Sequence, residues 1–402
     1  EIFDKWDLHS SIIGRVTDDR QIKIYNKDSL EASVPVDLLI DAPLYSSQSV
    51  YPSYLEAINK IDSDMVPLPC ESPGEILLKL LDSSDISSKE WIFRQYDHQV
   101  QTNTVAPPGG DAAVLRIKEG TKGIALTTDG NSRYCYLNPY VGGAIAVAEA
   151  SRNLSCVGAE VVAITDCLNF GNPERSDVYY QLEQCIHGMA EACGAFNVPV
   201  VSGNVSLYNE TRGQSIWPTP VIGALGLLDD IERRCDIAFK DEGDLVLLLG
   251  CTRLSDDVTS LAGSSYLDLI LDMIAGNPSI DLTLESNVQR LCREAIKIGL
   301  LKSAHDCSDG GLAVCLSECA IAGKIGFNGT AHVGERWDAA LFGEDQSRLV
   351  VSVSYSNLKE FKALATHHDV PWVSIGEVGG QVFSFPPLTE IPLNTLTDSW
   401  SK

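Results

Sequence analysis

The chain alternates between short apolar runs and longer stretches in which apolar residues recur every three or four positions. The runs at Ala112–Leu115, Gly123–Thr128, Glu160–Thr165, Thr219–Leu228, Asp244–Gly250 and Arg348–Val353 have the length and make-up of strands. The helical period predicts helices over Tyr140–Val157, Asp177–Phe196, Tyr266–Ile274, Glu285–Gly299, Leu312–Ala322 and Asn357–His367. Pro73-Gly74-Glu75 starts a shorter helix, Ile76–Leu81, and a second is expected at Ser88–Tyr96; from Gln99 the pattern turns strand-like. Elements interleaved in this way predict an α/β (α+β) fold, with a subdomain boundary near Gly250–Ser264.

Several predicted elements end in polar residues suited to a ligand. The apolar run Val198–Val201 reads as the start of a buried strand that breaks into Ser202-Gly203-Asn204, where Gly203 lets another group approach closely. Asn204, Ser206 and Asn209 then offer neutral oxygens and donors; a polar turn capping a strand is the competing reading. The strand before it ends at Asp166-Cys167-Leu168-Asn169, and one helix joins the two, so both ends are expected at the same edge of a sheet. On the helix Tyr140–Val157, Glu149 and Asn153 are four apart and share a face. Such a pair can hold one hard cation, or be an ordinary solvent-exposed hydrogen-bonded pair. Asp306, Ser308 and Gly310-Gly311 precede the helix Leu312–Ala322, whose amide end suits a phosphate or a capping acid.

The two ends of the chain resemble each other. Asp7-Leu8-His9-Ser10-Ser11-Ile12-Ile13-Gly14-Arg15-Val16 aligns without a gap on Asp369-Val370-Pro371-Trp372-Val373-Ser374-Ile375-Gly376-Glu377-Val378. Each is followed by an alternating run, Gln21–Tyr25 or Gln381–Phe385, and then by an apolar-Pro-apolar step, Val34-Pro35-Val36 or Ile391-Pro392-Leu393. Coincidence is the competing explanation for so short a match. If the match is a repeat, the chain opens on the tail of one large unit and contains one whole further unit. The Ser-, Pro- and Tyr-rich stretch Ala42–Tyr54 between them reads as a linker.

Composition narrows the class. With 402 residues, 44% apolar and 21% charged, the chain is globular and long enough for two or three domains. Its net charge of -25 argues against general nucleic-acid binding but leaves room for a phosphate ligand neutralised locally by Mg²⁺. The twelve cysteines contain no CxxC pair, and Cys185, Cys193, Cys315 and Cys319 sit in apolar helical runs as small core residues, a usage that fits the reducing cytosol. No signal peptide is expected from the first residues, and no apolar segment is long enough to span a bilayer. A P-loop, a dinucleotide-binding glycine motif and a kinase motif set are all missing, and the seven histidines form no nucleophile–base set. For His305, beside the Asp306 cluster, a local hydrogen bond is expected. What remains is Asp111, Glu149, Asn153, Asp166, Asn204 and Asp306 at strand ends and helix starts, a set that suggests Mg²⁺ and a nucleotide.

These motifs taken together resemble the C-terminal half of the small-type phosphoribosylformylglycinamidine synthases. The carrying residues are Tyr96-Asp97-His98-Gln99-Val100-Gln101-Thr102-Asn103-Thr104, Gly109-Gly110-Asp111-Ala112-Ala113-Val114 and Arg133-Tyr134-Cys135-Tyr136. They continue with Ile164–Pro173, Ser202–Thr211 and His305–Leu312, so that the resemblance covers nearly the whole chain. It implies PurM-like repeats of a paired α/β unit. Residues 1–41 would be the tail of the preceding repeat, 42–90 a linker with short helices, 91–252 the ATP-binding N-terminal subdomain and 253–402 the C-terminal subdomain. The implied reaction belongs to purine synthesis in the cytoplasm. ATP phosphorylates the formyl amide oxygen of formylglycinamide ribonucleotide, and ammonia displaces the phosphate to give the amidine.

By motif, Asp166 and Gly203 are similar to ATP contacts, Asn204 to a Mg²⁺ ligand and Ser206 to a substrate contact. Asp111, Glu149, Asn153 and Asp306 are similar to the Mg²⁺ ligands of an auxiliary nucleotide site in the large form of the enzyme, where ADP is held and Ser308 would touch the nucleotide. The family's catalytic histidines, ATP-binding lysine and first Mg²⁺ carboxylates belong to the first repeat, so this chain alone is expected to be inactive. The implied partners are that first repeat, a glutaminase subunit and a small accessory subunit. Gly130 and Ser132 stand where Cys and Pro are usual, and Asp345 replaces the Ser of a Glu-Ser-Gln that touches substrate in the first repeat. The competing readings are a non-catalytic, structural nucleotide-binding half, and another ATP-using member such as an aminoimidazole ribonucleotide synthetase, a selenophosphate synthetase or a thiamine-phosphate kinase.

Overall fold

The computed structural model describes residues 1–41, 47–62 and 64–402, and divides into two compact units, Glu1–Ser47 and Gln48–Lys402. Residues 42–46 of the expected linker lie outside the described residues. In the first unit a hairpin pairs Gln21–Asn26 antiparallel with Ser29–Pro35, followed by the short helix Asp37–Ile40. The C-terminal end follows the same order: strand Val382–Phe385, antiparallel strand Thr389–Pro392, then helix Leu393–Trp400. The counterparts preceding them differ. Trp372–Val378 is a strand inside a sheet, paired with Leu245–Leu249 and Phe327–Gly329. Leu8–Val16 forms no strand, and its Ile12, Ile13 and Val16 are fully exposed. A strand needs neighbours for its amides and carbonyls, and among the described residues of the first unit the only strands, Gln21–Asn26 and Ser29–Pro35, pair with each other and not with this segment.

In the second unit two large sheets lie in sequence, with a small hairpin pairing Glu210–Thr211 and Gln214–Ser215 besides. The first has the order Thr104–Ala106, Ala113–Arg116, Gly123–Asp129, Thr219–Leu228, Glu160–Asn169, Val200–Ser206. It is antiparallel except for its last pair, which is parallel and joined by the helix Ser176–Phe196. That helix and Pro139–Cys156 cover one face. They cross closely: a Cβ on Gly188 would come within 1.8 Å of the Tyr140 carbonyl oxygen, and one on Gly143 within 2.3 Å of the Cys185 carbonyl oxygen. The other face is open, exposing Leu126, Val162 and Val201.

The strand expected to start as a buried run at Val198–Val201 therefore has only Val198 in the core. Val200 and Val201 are 48% and 66% exposed, because this is the edge strand of a sheet covered on one side. A register shift between Ile164 and Thr165 marks an irregularity in its pairing.

The second sheet has the order Leu301–Asp306, Leu349–Val353, Leu245–Leu249, Trp372–Val378, Phe327–Gly329, Val382–Phe385, Thr389–Pro392. It is buried on both faces, under the helices Pro73–Leu81 and Gly311–Gly323 on one side and Leu282–Lys297 and Leu358–His367 on the other. Burial on both faces explains why Leu245–Leu249 reads as an unbroken apolar run. That strand was expected to close the first subdomain at residue 252. It lies instead within the second sheet, so the change of sheet falls between Leu228 and Leu245. Four strands, Leu301–Asp306, Phe327–Gly329, Trp372–Val378 and Thr389–Pro392, were not anticipated. Pro73–Leu81 starts with Ser72 and Glu75 in a reciprocal capping box, whereas Ser88–Tyr96 contracts to Glu90–Phe93. Among the described residues no helix is long and apolar enough to cross a membrane.

Candidate functional site

Asp166 and Gly203 are paired directly across the parallel ladder, with Cys167 opposite Asn204 and Asn169 opposite Ser206. A Cβ on Gly203 would fall 2.4 Å from Asp166 Oδ1, so the carboxylate occupies the space that only glycine leaves. The pleat puts Asp166 on the helix-covered face with Ile164 and Leu168, and Gly203 with it. Asn204 alternates to the open face, where its amide lies 3.7 Å from Cys167 Sγ, and Ser206 follows it there, donating to Asn209 Oδ1 at 3.3 Å. The four residues are thus gathered at one edge but on two faces. Partial burial raises the pKa of Asp166.

Asp111, Glu149, Asn153 and Ser308 line one cavity of about 300 Å³, together with Asp129, His305, Asp309 and Glu318. Glu149 and Asn153 are not a solvent-exposed pair. Glu149 is buried, and Asn153 Nδ2 donates to Asp129 Oδ2 at 3.2 Å. Burial pushes the Asp129 and Glu149 carboxyls well above their usual range, and repulsion among the acids adds to it: from Asp306 and Asp309 on Asp129, and from Asp129 and Asp306 on Glu149. Asp111 Oδ1 accepts from the Asp306 backbone amide at 3.1 Å and contacts His305 Nδ1 at 2.9 Å, while its buried Oδ2 has no partner. Burial opposes a charge on His305, but the Asp111 carboxylate outweighs this and lifts the His305 pKa well above normal.

Asp306 does not line the cavity. Its carboxylate pairs with the fully buried Arg152, whose Nη1 also reaches Glu285 Oε2 at 2.7 Å and whose Nη2 reaches Gln346 Oε1 at 3.1 Å. Burial pushes the Asp306 pKa up to about 6, against the pull of Arg152. The helix start at Gly311 takes an acid: Glu344 Oε1 accepts from the Gly310 amide at 2.7 Å and from the Ser265 amide at 2.8 Å. Sequence reasoning missed Asp129 as a site residue, although it ends its strand as Asp166 ends its own.

Among the described residues no three His, Cys, Asp or Glu side chains converge closely enough to enclose a metal by themselves. Mg²⁺ keeps several waters and takes phosphate oxygens, so one or two carboxylates suffice for it. The partnerless Asp111 Oδ2 and the crowded Asp129 and Glu149 fit such a cation. An adjoining cavity of about 710 Å³ shares the Gly109–Asp111 wall and is lined by Ile86, Phe93, Val105 and Pro107 among others.

Residues 109–228 match the family model described as AIR synthase related protein, N-terminal domain, and residues 241–384 match AIR synthase related protein, C-terminal domain. The junction between these matches falls, like the change of sheet, between Leu228 and Leu245. Over 406 aligned residues the chain is 45% identical to phosphoribosylformylglycinamidine synthase subunit PurL of Caldanaerobacter subterraneus subsp. tengcongensis, covering 100% of this chain and 55% of that one. It is 48% identical to the subunit PurL of Moorella thermoacetica, covering 94% and 51%. The chain spans about half the length of the curated relatives it matches. PurL of T. maritima complexed with ATP has the same fold, at 23% identity and a TM-score of 0.58, covering 90% of this chain and 49% of that one. The PurLQS structure from Thermotoga maritima matches at 25% identity with a TM-score of 0.58 and the same coverage. The chain belongs to the AIR synthase related family, and over its whole length it is similar to part of the PurL subunits of phosphoribosylformylglycinamidine synthase.

Proposed function

We propose that the chain is part of the ATP-dependent synthase that turns formylglycinamide ribonucleotide, ATP and glutamine-derived ammonia into formylglycinamidine ribonucleotide, ADP and phosphate. It supplies one wall of the active site. The observation that carries this reading is the Asp166–Gly203 pair at an open sheet edge, with Asn204 and Ser206 beside it. In it Asp166 and Gly203 receive ATP, Asn204 offers a neutral oxygen to Mg²⁺ and Ser206 a hydroxyl to the ribonucleotide. Mg²⁺, when bound, neutralises and orients the phosphates, which is most of what phosphoryl transfer requires. The other wall comes from the first repeat, and a glutaminase and a small accessory subunit complete the assembly, in the cytosol. An ammonia-dependent assay tests this: no turnover by the chain alone, and turnover when a PurL N-terminal half is added. A folded, associating pair that stays inactive refutes it.

A second reading is favoured by the acidic cavity, which this chain forms by itself. Asp111, Glu149, Asn153 and Ser308 hold Mg²⁺ and ADP as a structural ligand, with the base in the adjoining apolar cavity and Asp306 placed indirectly through Arg152. Calorimetry with ADP and Mg²⁺ should show binding by the wild type and its loss in Glu149→Ala; equal binding by both sinks this reading.

A further inference from the structure

We propose that His305, braced by Glu318, is a positioning residue that sets the Asp111 carboxylate for a nucleotide-bound divalent cation. The proposal rests on the reading of the acidic cavity as a nucleotide–Mg²⁺ site. Three elements meet here: the glycine turn carrying Asp111, the strand Leu301–Asp306 and the helix Gly311–Gly323. His305 Nδ1 lies 2.9 Å from Asp111 Oδ1 and its Nε2 lies 3.1 Å from Glu318 Oε2. With both ring nitrogens engaged and the ring largely buried, the imidazole cannot turn without breaking a bond.

The bracing acts on one oxygen only. Asp111 Oδ1 faces two donors, the His305 ring and the Asp306 amide, whereas Oδ2 is buried and bare. A tie between the two subdomains would need Oδ1 alone, and would gain nothing from keeping a carboxylate oxygen desolvated and unpaired. A cation ligand needs that arrangement: one oxygen anchored, the other left without a protein partner. Metal-ligating groups are commonly oriented by such outer partners.

Titration calorimetry of the 402-residue chain with ADP, in Mg²⁺ and separately in a chelator, tests this. The wild type should bind ADP more tightly in Mg²⁺. His305→Leu should weaken Mg²⁺–ADP binding about 10–100-fold and leave metal-free ADP binding within about twofold. His305→Gln, which retains one N–H donor for Asp111, should recover part of the loss. Glu318→Gln keeps an acceptor for the ring and should show a smaller loss in the same direction; it and His305→Gln carry the test if His305→Leu does not fold. Unchanged Mg²⁺–ADP affinity in the variants, or equal losses with and without metal, overturns the proposal. A wild type that gains nothing from Mg²⁺ overturns the reading of the cavity itself.

Discussion

Replacing Gly203 by alanine separates what the Asp166–Gly203 contact does for folding from what it does for function. The added Cβ would sit 2.4 Å from Asp166 Oδ1 and 3.1 Å from its Cγ. Ordinary contact begins near 3.4 Å, so the carboxylate must retreat by about 1 Å, the difference between 3.4 and 2.4. It is the end of a partly buried side chain rather than backbone, so it can do so by leaving its rotamer, at about 0.5–1.5 kcal/mol. Alanine is the better strand residue, which offsets part of that cost, and the urea midpoint should shift little. A displacement of about 1 Å in a group that positions ATP costs roughly 100-fold in rate, or about 2.7 kcal/mol of barrier. The assay is ammonia-dependent turnover of the two complementing halves. In an Asp166→Ala background the same substitution should cost less than about twofold, because the group it displaces is gone. Gly203→Ala activity within about threefold of wild type, in an active pair, refutes the argument that this glycine exists to admit Asp166.

Arg152→Met leaves the Asp306 and Glu285 carboxylates buried without their cation and should destabilise the chain by about 3–5 kcal/mol, read from urea unfolding; a loss below about 1 kcal/mol would mean the cluster relaxes or takes up water. Stability should fall as pH rises from about 5 to 8. The Asp129 and Glu149 pKa values are raised in the folded state, so the native chain holds protons that the unfolded chain has released, and the raised His305 acts in the same direction. Thermal melts that are flat or rise over this range count against the buried acids, and added Mg²⁺–ADP should lessen the slope. Ser72→Ala removes the capping-box hydroxyl of the helix Pro73–Leu81 and should cost about 1 kcal/mol, measured as the shift in urea midpoint.

The long helices and the strands of the first sheet were legible because their periodicity is enforced by one buried face. Glu160–Asn169 and Ser176–Phe196 could be read from the apolar runs and the turns between them, whereas Val200–Ser206 runs straight through Ser202-Gly203-Asn204, where the strand was expected to break. Leu245–Leu249 was assigned to the wrong sheet because an apolar run reports burial but not the neighbour that buries it. Leu301–Asp306 was hidden by its small and polar residues, Lys302, Ser303 and His305, which a central motif obscured further. At the site, spacing could place Glu149 and Asn153 on one helix face. It could not show that Asp129, from a strand, closes over them, or that Arg152 in the same turn draws Asp306 aside.

The strand Val200–Ser206 has one free edge, and a ligand that touches both Asp166–Gly203 and Asn204–Ser206 has to pass around it. The same row of unpaired amides and carbonyls is a template for another strand. Occupancy and strand addition therefore compete for a single margin of the sheet, so a chain kept without ligand or partner is the form most exposed to self-association, and whatever fills the edge also acts as its guard against aggregation.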